Sequence, residues 1–374
     1  MQDLAEEAQV DDDSGVNTAI TKMFGALSRV MTSPKVTEAT AEMTSYLDAA
    51  GYNYMDARFE MDRDLFPNRV IVASETHPAT MADGWAGVTR HSHVVGDFTW
   101  TGWDYLGEAG IGRVVYADQP MSGFSGDHPW IAAWCGDIDI TGQRRPQSFY
   151  REIVFGLRPE PYLAVRRPEH HGKEISYASP WSWSDVVSSW SWEGHEGAPV
   201  VVEVYADADE VELLVNGRSL GRKPAGAERR FRAHFETTYE PGTVEAVAWR
   251  DGKELGRTGL RSAAGPVQLA VSADRTSIAA DPTDLAFVAI GLVDGAGTIC
   301  TTADRLVRVE VDGPGVLQGL ASANPKTDEP FVDAEQTTFD GRALAVVRPT
   351  GAGAITVTVS ADGCAAQQVR ISAG

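Results

Sequence analysis

The feature that most constrains the fold of this chain is a change of pattern near residue 160. Upstream, short apolar runs alternate with helical stripes; downstream, only short strands and turn clusters remain. Arg69 to Ser74 is a largely apolar run, the form a strand takes when both of its faces are covered. Ala49 to Tyr54 reads as a second buried strand and Asp97 to Thr101 as a third. Between them, residues 56–66, stopped by Pro67-Asn68, and residues 80–94 carry helical patterns. Such a β-α-β-α-β alternation implies parallel strands joined by right-handed crossovers. A further helix over Arg145–Phe155 would close the region. Ahead of it, residues 1–15 are polar and acidic. From Asn17, apolar residues Ile20, Met23, Phe24, Leu27, Val30 and Met31 recur at spacings of three and four. Val36, Ala39, Met43 and Leu47 repeat the pattern after Pro34. Both predict helices, the first with one buried stripe.

Downstream, Pro159, Pro161 and Pro168 punctuate a linker. Val200–Tyr205, Val211–Val215 and Val244–Trp249 then read as strands, with Asn216-Gly217 an explicit hairpin turn. Gly265-Pro266 marks another boundary, followed by strands at Val267–Ala273, Leu285–Val293, Leu306–Val311, Ala343–Arg348 and Ile355–Ser360. The expected organisation is an α/β unit over residues 1–160, then two all-β sandwiches of immunoglobulin-like type over 161–265 and 266–374.

A net charge of −21 argues against nucleic acid and anionic membrane surfaces, both of which would repel the chain. No run approaches the roughly 18 apolar residues a membrane span needs. Cys135, Cys300 and Cys364 lie far apart, a poor disulfide framework that suits a reducing compartment. The acidic start, Met1 to Glu7, has no signal-peptide pattern. The expectation is a cytoplasmic protein with no membrane or nucleic-acid partner, no metal and no cofactor.

The chemistry concentrates at strand ends. Glu75 closes the apolar run and is the candidate nucleophile for attack on a sugar; a capping or salt-bridged glutamate is an equal reading. Tyr54, at the preceding strand's end, could donate a hydrogen bond to that carboxylate and hold it ionised. Trp100 could be a stacking floor for a pyranose ring, with Trp103 a lesser candidate; the alternative is barrel core, since successive strand residues face opposite ways. Asp104 and Glu108 read as loop-holding acids. His77, His91 and His93 show no convincing metal or triad geometry, and no GxSxG elbow or phosphate loop is visible. Trp181, Trp183, Trp190 and Trp192 suggest a domain-interface anchor more than a carbohydrate-binding face.

Three segments together resemble glycoside hydrolase family 2, most closely bacterial β-galactosidases: Ala50-Gly51-Tyr52-Asn53-Tyr54, Ser74-Glu75-Thr76, and Gly96 through Glu108. Gly136 to Gly142 with Pro146 to Tyr150, Ser189 to Trp192, Ala208 to Gly217 and Gly341 to Ala345 extend the resemblance over nearly all the chain beyond residue 40. It implies the last three strands, six to eight, of a (β/α)8 TIM barrel followed by the two sandwiches. It also implies a retaining β-glycosidase in which Glu75 attacks the anomeric carbon, Tyr54 contacts it, and Trp100, Asn53 and Trp103 meet the sugar. The family's acid/base is a glutamate following asparagine, and no Asn-Glu pair occurs in this sequence. The expectation is a chain that hydrolyses a β-glycoside poorly alone, partnered by an N-terminal half of the barrel or by a second copy. The rival is a non-catalytic carbohydrate-binding or scaffolding protein.

Overall fold

The computed structural model describes residues 29–121 and 123–374. The helix expected from Asn17 falls almost wholly outside them. Helix α1 (Pro34–Ser45) follows, its Ser33 side chain accepting from the Val36 amide and Pro34 at its first turn. Its apolar residues do not form a buried stripe: Met43 and Leu47 are exposed, and only Thr44 is buried. Polar ties hold this segment instead, with Arg58 donating to the Met31 carbonyl and to Thr37, and Arg69 to Thr44.

Strands β1 (Ala50–Asn53), β2 (Ile71–Thr76) and β3 (Val94–Thr99) are parallel and lie in that order in one sheet. The first crossover is a 3-10 turn, Asp56–Arg58, running into α2 (Phe59–Leu65). The second carries α3 (Met81–Arg90). That helix ends earlier than its sequence pattern suggested, because His91 is extended and the β-branched pair Val94-Val95 opens β3. Ala50, Tyr52, Phe59, Ile71, Ala73 and Val94 form the local core. Beside it, the fully buried Asp62 takes Arg58 at 2.6 Å, Arg69 at 3.3 Å and the Tyr52 hydroxyl. The three strands form an open sheet, not a closed barrel, and β1 and β3 are its two edges.

Residues 100–145 are mostly irregular, apart from the short β4 (Val114–Tyr116), which pairs with β6 (Ile175–Ala178). Helix α4 (Pro146–Val154) places Tyr150, Ile153 and Val154 against Met81 of α3 and against Trp183 and Tyr205.

Two sheets follow, one of β5 (Tyr162–Arg166), β7 (Val186–Val187), β8 (Pro199–Tyr205) and β11 (Arg232–Thr238). The other holds β9 (Glu210–Val215), β10 (Arg218–Pro224), β12 (Thr243–Arg250) and β13 (Lys253–Arg261). They share one apolar core in which Trp190 and Trp192 are fully buried. Asn216 and Gly217 have φ of +50° and +77°, the left-handed pair a tight hairpin between β9 and β10 requires. A second pair of sheets uses strands between Gln268 and Ala373, among them Ala286–Val293, Arg342–Pro349 and Gly353–Ala361, again closed on an apolar core.

Candidate active site

Glu75, Tyr54 and Trp100 all stand at the C-terminal ends of the parallel strands. The backbone fastens them together: the Tyr54 amide donates to the Glu75 carbonyl at 2.8 Å, and the Trp100 amide to the Thr76 carbonyl at 2.9 Å. Register shifts fall at these ends, between Gly51 and Asn53 and between Ala73 and Thr76. Irregularities of this kind re-aim side chains at a sheet rim. Tyr54 has φ +56°, which turns its ring out of the strand direction.

The Glu75 carboxylate is half-buried. Its Oε1 accepts from Asn53 Nδ2 at 2.5 Å, and Asn53 Oδ1 in turn accepts from Ser74 Oγ at 2.8 Å. This relay fixes the asparagine amide with its NH2 toward the glutamate. Tyr54 lies on the other side. Burial, with the hydrogen bond to Glu75, pushes its pKa well above the ordinary tyrosine value, although Trp181 Nε1 donating to its oxygen at 3.1 Å works the other way. The phenol therefore stays neutral and is a donor beside Glu75.

Aromatic rings line this mouth. Tyr54 stacks on His77 with centroids 4.2 Å apart, and Trp181 meets both edge-on. Phe124 meets Trp181 from a further loop. Burial lowers the His77 pKa to about 4, so this imidazole is neutral at ordinary pH. Trp100, Tyr105 and Trp181 pack on a buried floor of Ile111, Ala133 and Cys135. Trp100 Nε1 donates to the Tyr105 hydroxyl at 3.0 Å, and that hydroxyl donates to Glu108. Cys135 is an inert thiol, its pKa raised by burial to about 12.

Of the residues singled out from sequence, Glu75, Asn53, Tyr54 and Trp100 thus come together around one mouth. Trp103 does not join them: it is more than half exposed, bridged by its backbone to Ile138, with its indole over Gly142. Asp104 accepts from the amides of Tyr105, Trp134 and Cys135 and so holds a loop. His93 Nε2 donates to the Phe59 carbonyl at 2.8 Å. The four tryptophans separate, with Trp190 and Trp192 in the sandwich core and Trp183 between α4 and Tyr205. Trp181, read from sequence within a tryptophan group taken as a domain-interface anchor, instead reaches Tyr54 across 127 residues.

A carboxylate oriented by an amide and a neutral phenol thus stands at the rim of a parallel sheet, ringed by aromatic faces. The two sandwiches carry the assignment further. Residues 269–370 match the glycoside hydrolase family 2 C-terminal domain 5, and residues 197–256 match a domain of unknown function, DUF4982. The chain is 28% identical over 290 residues to the β-galactosidase BoGH2A of Bacteroides ovatus, an alignment covering 76% of this chain and 29% of that protein. It is 27% identical over 278 residues to a putative β-glucuronidase of Formosa agariphila, covering 71% and 23%. The crystal structure of a glycosyl hydrolase family 2 member from Bacteroides cellulosilyticus superposes with a TM-score of 0.81 at 35% identity. It aligns over 90% of this chain and 43% of its own. The chain therefore corresponds to a C-terminal portion of glycoside hydrolase family 2, and it spans less than a third of the length of those two curated relatives. The relatives' names are those of glycoside-cleaving enzymes.

Proposed function

We propose that this chain supplies the nucleophile-bearing part of a retaining β-glycosidase acting on β-galactoside-type bonds. In this reading residues 1–160 are the last three strands of a (β/α)8 barrel, and residues 161–265 and 266–374 are immunoglobulin-like domains that buttress it. The observation that carries the reading is the Asn53–Glu75 contact at 2.5 Å beside the neutral Tyr54. Glu75 attacks the anomeric carbon to form a glycosyl ester, and water then hydrolyses it. Asn53 and Tyr54 hold the carboxylate in line, and Trp100 offers the ring a stacking face.

Protonation of the leaving group needs a second carboxylic acid about 5 Å from the nucleophile. Within the mouth the remaining acid is Glu108, which is engaged by Tyr105. The acid/base is assigned to a segment outside this chain, a preceding half of the barrel or a second copy. Its absence lowers turnover of unactivated glycosides by roughly 10²–10⁴-fold. The protein is placed in the cytoplasm, in keeping with three unpaired cysteines. Among the described residues no helix is long and apolar enough to cross a membrane.

The test is co-expression with a candidate N-terminal half, assaying an unactivated galactoside and an aryl galactoside with a good leaving group. The complemented wild type is expected to cleave both, the chain alone neither efficiently, and complemented Glu75→Gln neither. Equal rates for Glu75→Gln and wild type would remove Glu75 from the mechanism.

A further inference from the structure

A cavity of about 700 Å3 lies away from the Glu75 mouth, between β4, the linker after β5 and residues 323–342 of the last sandwich; Glu75, Tyr54, Trp100 and Trp181 do not line it. The two spaces share a wall. Ala133 and Cys135 face the catalytic floor, whereas Trp130 and Trp134 line the cavity. Glycines keep this wall thin: a Cβ at Gly112 would lie 2.4 Å from the Trp134 carbonyl oxygen, and one at Gly136 would lie 2.3 Å from the Asp104 nitrogen.

Of the five carboxylates lining the cavity, Asp127 and Glu169 are exposed and the other three are engaged. Asp340 is gripped by Arg167 through bonds of 2.8 and 2.7 Å, and Asp185 meets Arg167, His170 and Tyr116. Asp139 Oδ1 accepts from Thr141 and Gln143. Two of its arginines are not so served. Arg145 lies 3.9 Å over the Trp134 ring and donates to the Gly136 carbonyl at 3.2 Å; Arg342 donates to the Asp340 carbonyl at 3.4 Å. Neither forms an ion pair among the described residues. Burial pushes the pKa of both below the ordinary arginine value, against the pull of Asp104 and Asp139 on Arg145 and of Asp340 and Asp139 on Arg342. The Trp134 ring under Arg145 meets Phe339 edge-on, and Phe339 is bridged by its backbone to Arg342, which places the two arginines at one end of the space. Buried cations are normally paired, because desolvating them is costly. Guanidinium forks match the geometry of a carboxylate.

The volume exceeds what a bare inorganic anion fills, and Trp130, Trp134, Tyr162 and Phe339 supply apolar and aromatic wall. Asp139 Oδ2 is left to accept from a hydroxyl. We propose that this cavity is a second binding site, separate from the Glu75 mouth, for an acidic saccharide whose carboxylate is held by Arg145 and Arg342. The site is independent of the hydrolytic reading.

The experiment titrates glucuronate, glucose and inorganic sulfate into the full chain by calorimetry, with intrinsic tryptophan fluorescence as a second readout. Glucuronate is expected to bind, and Arg342→Gln and Arg145→Met, each checked for native circular dichroism, to weaken it by about tenfold or more, the scale of one charge-assisted hydrogen bond. Glucose and sulfate are expected to bind more weakly, and Glu75→Gln to leave glucuronate binding unchanged. Should Arg145→Met misfold, Arg342→Gln decides by both readouts. Any of four results overturns the proposal: absence of glucuronate binding, full binding by the arginine variants, equal affinity for sulfate, or loss of binding in Glu75→Gln.

Discussion

In the first sandwich Val202, Val204, Val211, Leu213 and Val215 are fully buried, while in the parallel sheet Val95 and Phe98 are 61% and 63% exposed. The sandwiches close most of their apolar faces sheet against sheet, and the first also packs Tyr162 and Tyr205 against α4. The α/β unit leaves apolar surface and two strand edges uncovered, and part of its cohesion comes from charge: the Asp62 cluster joins β1, α2 and the lead-in to β2. The contrast teaches that one chain holds two kinds of packing, one closed sheet on sheet and one that leaves strand edges open.

The largest effect is expected at that cluster. Asp62→Ala leaves Arg58 buried without its carboxylate, a loss of about 3–5 kcal/mol. In urea unfolding followed by both fluorescence and circular dichroism, it is expected to lower an early transition belonging to the α/β unit. Leu213→Ala opens a cavity in the sandwich core and is expected to cost about 2–5 kcal/mol, in the later transition, whereas Phe98→Ala on the open sheet shifts either by less than about 0.5 kcal/mol. A single transition displaced equally by Asp62→Ala and Leu213→Ala would break the contrast, because the units would then unfold together.

A further test of the contrast is a pH dependence confined to the sandwich. Glu203 is fully buried. Burial alone would raise its pKa, but His234 at 3.6 Å and the closer Arg166 guanidinium at 2.8 Å reverse this and hold it at about 2. A carboxyl depressed in the folded state stabilises above its unfolded pKa, and that stabilisation fades as pH falls toward the folded value. The sandwich transition should therefore weaken between about pH 4.5 and 2. Glu203→Gln should flatten that slope; an unchanged slope would place the acid sensitivity elsewhere.

Much of the fold was legible because its signals are local. The apolar run ending at Glu75, the Asn216-Gly217 turn and the strand spacing after residue 160 each depend on neighbours in sequence. The stripe Val36, Ala39, Met43 and Leu47 has helical spacing and forms a helix, yet spacing alone does not say that anything packs on it. The rest of the site needed contacts no periodicity encodes. Trp181 reaches Tyr54 from a non-repetitive segment, and β4 pairs with β6 across an irregular stretch whose backbone is shaped by tertiary contact. Trp100 and Trp103 lie close in sequence, and only the path of the loop after β3 sends one to the mouth and the other to the surface.

The partition between the mouth and the second cavity has a consequence for how this chain tolerates change. Residues 130–135 have no regular secondary structure, the sort of stretch where insertions are usually harmless. Here Trp130 and Trp134 line the cavity while Ala133 and Cys135 form the floor beneath Trp100, and adding or deleting one residue would send Trp134 toward that floor and Cys135 into the opposite compartment. Though a loop by appearance, it is a stretch whose length is as fixed as that of any core strand.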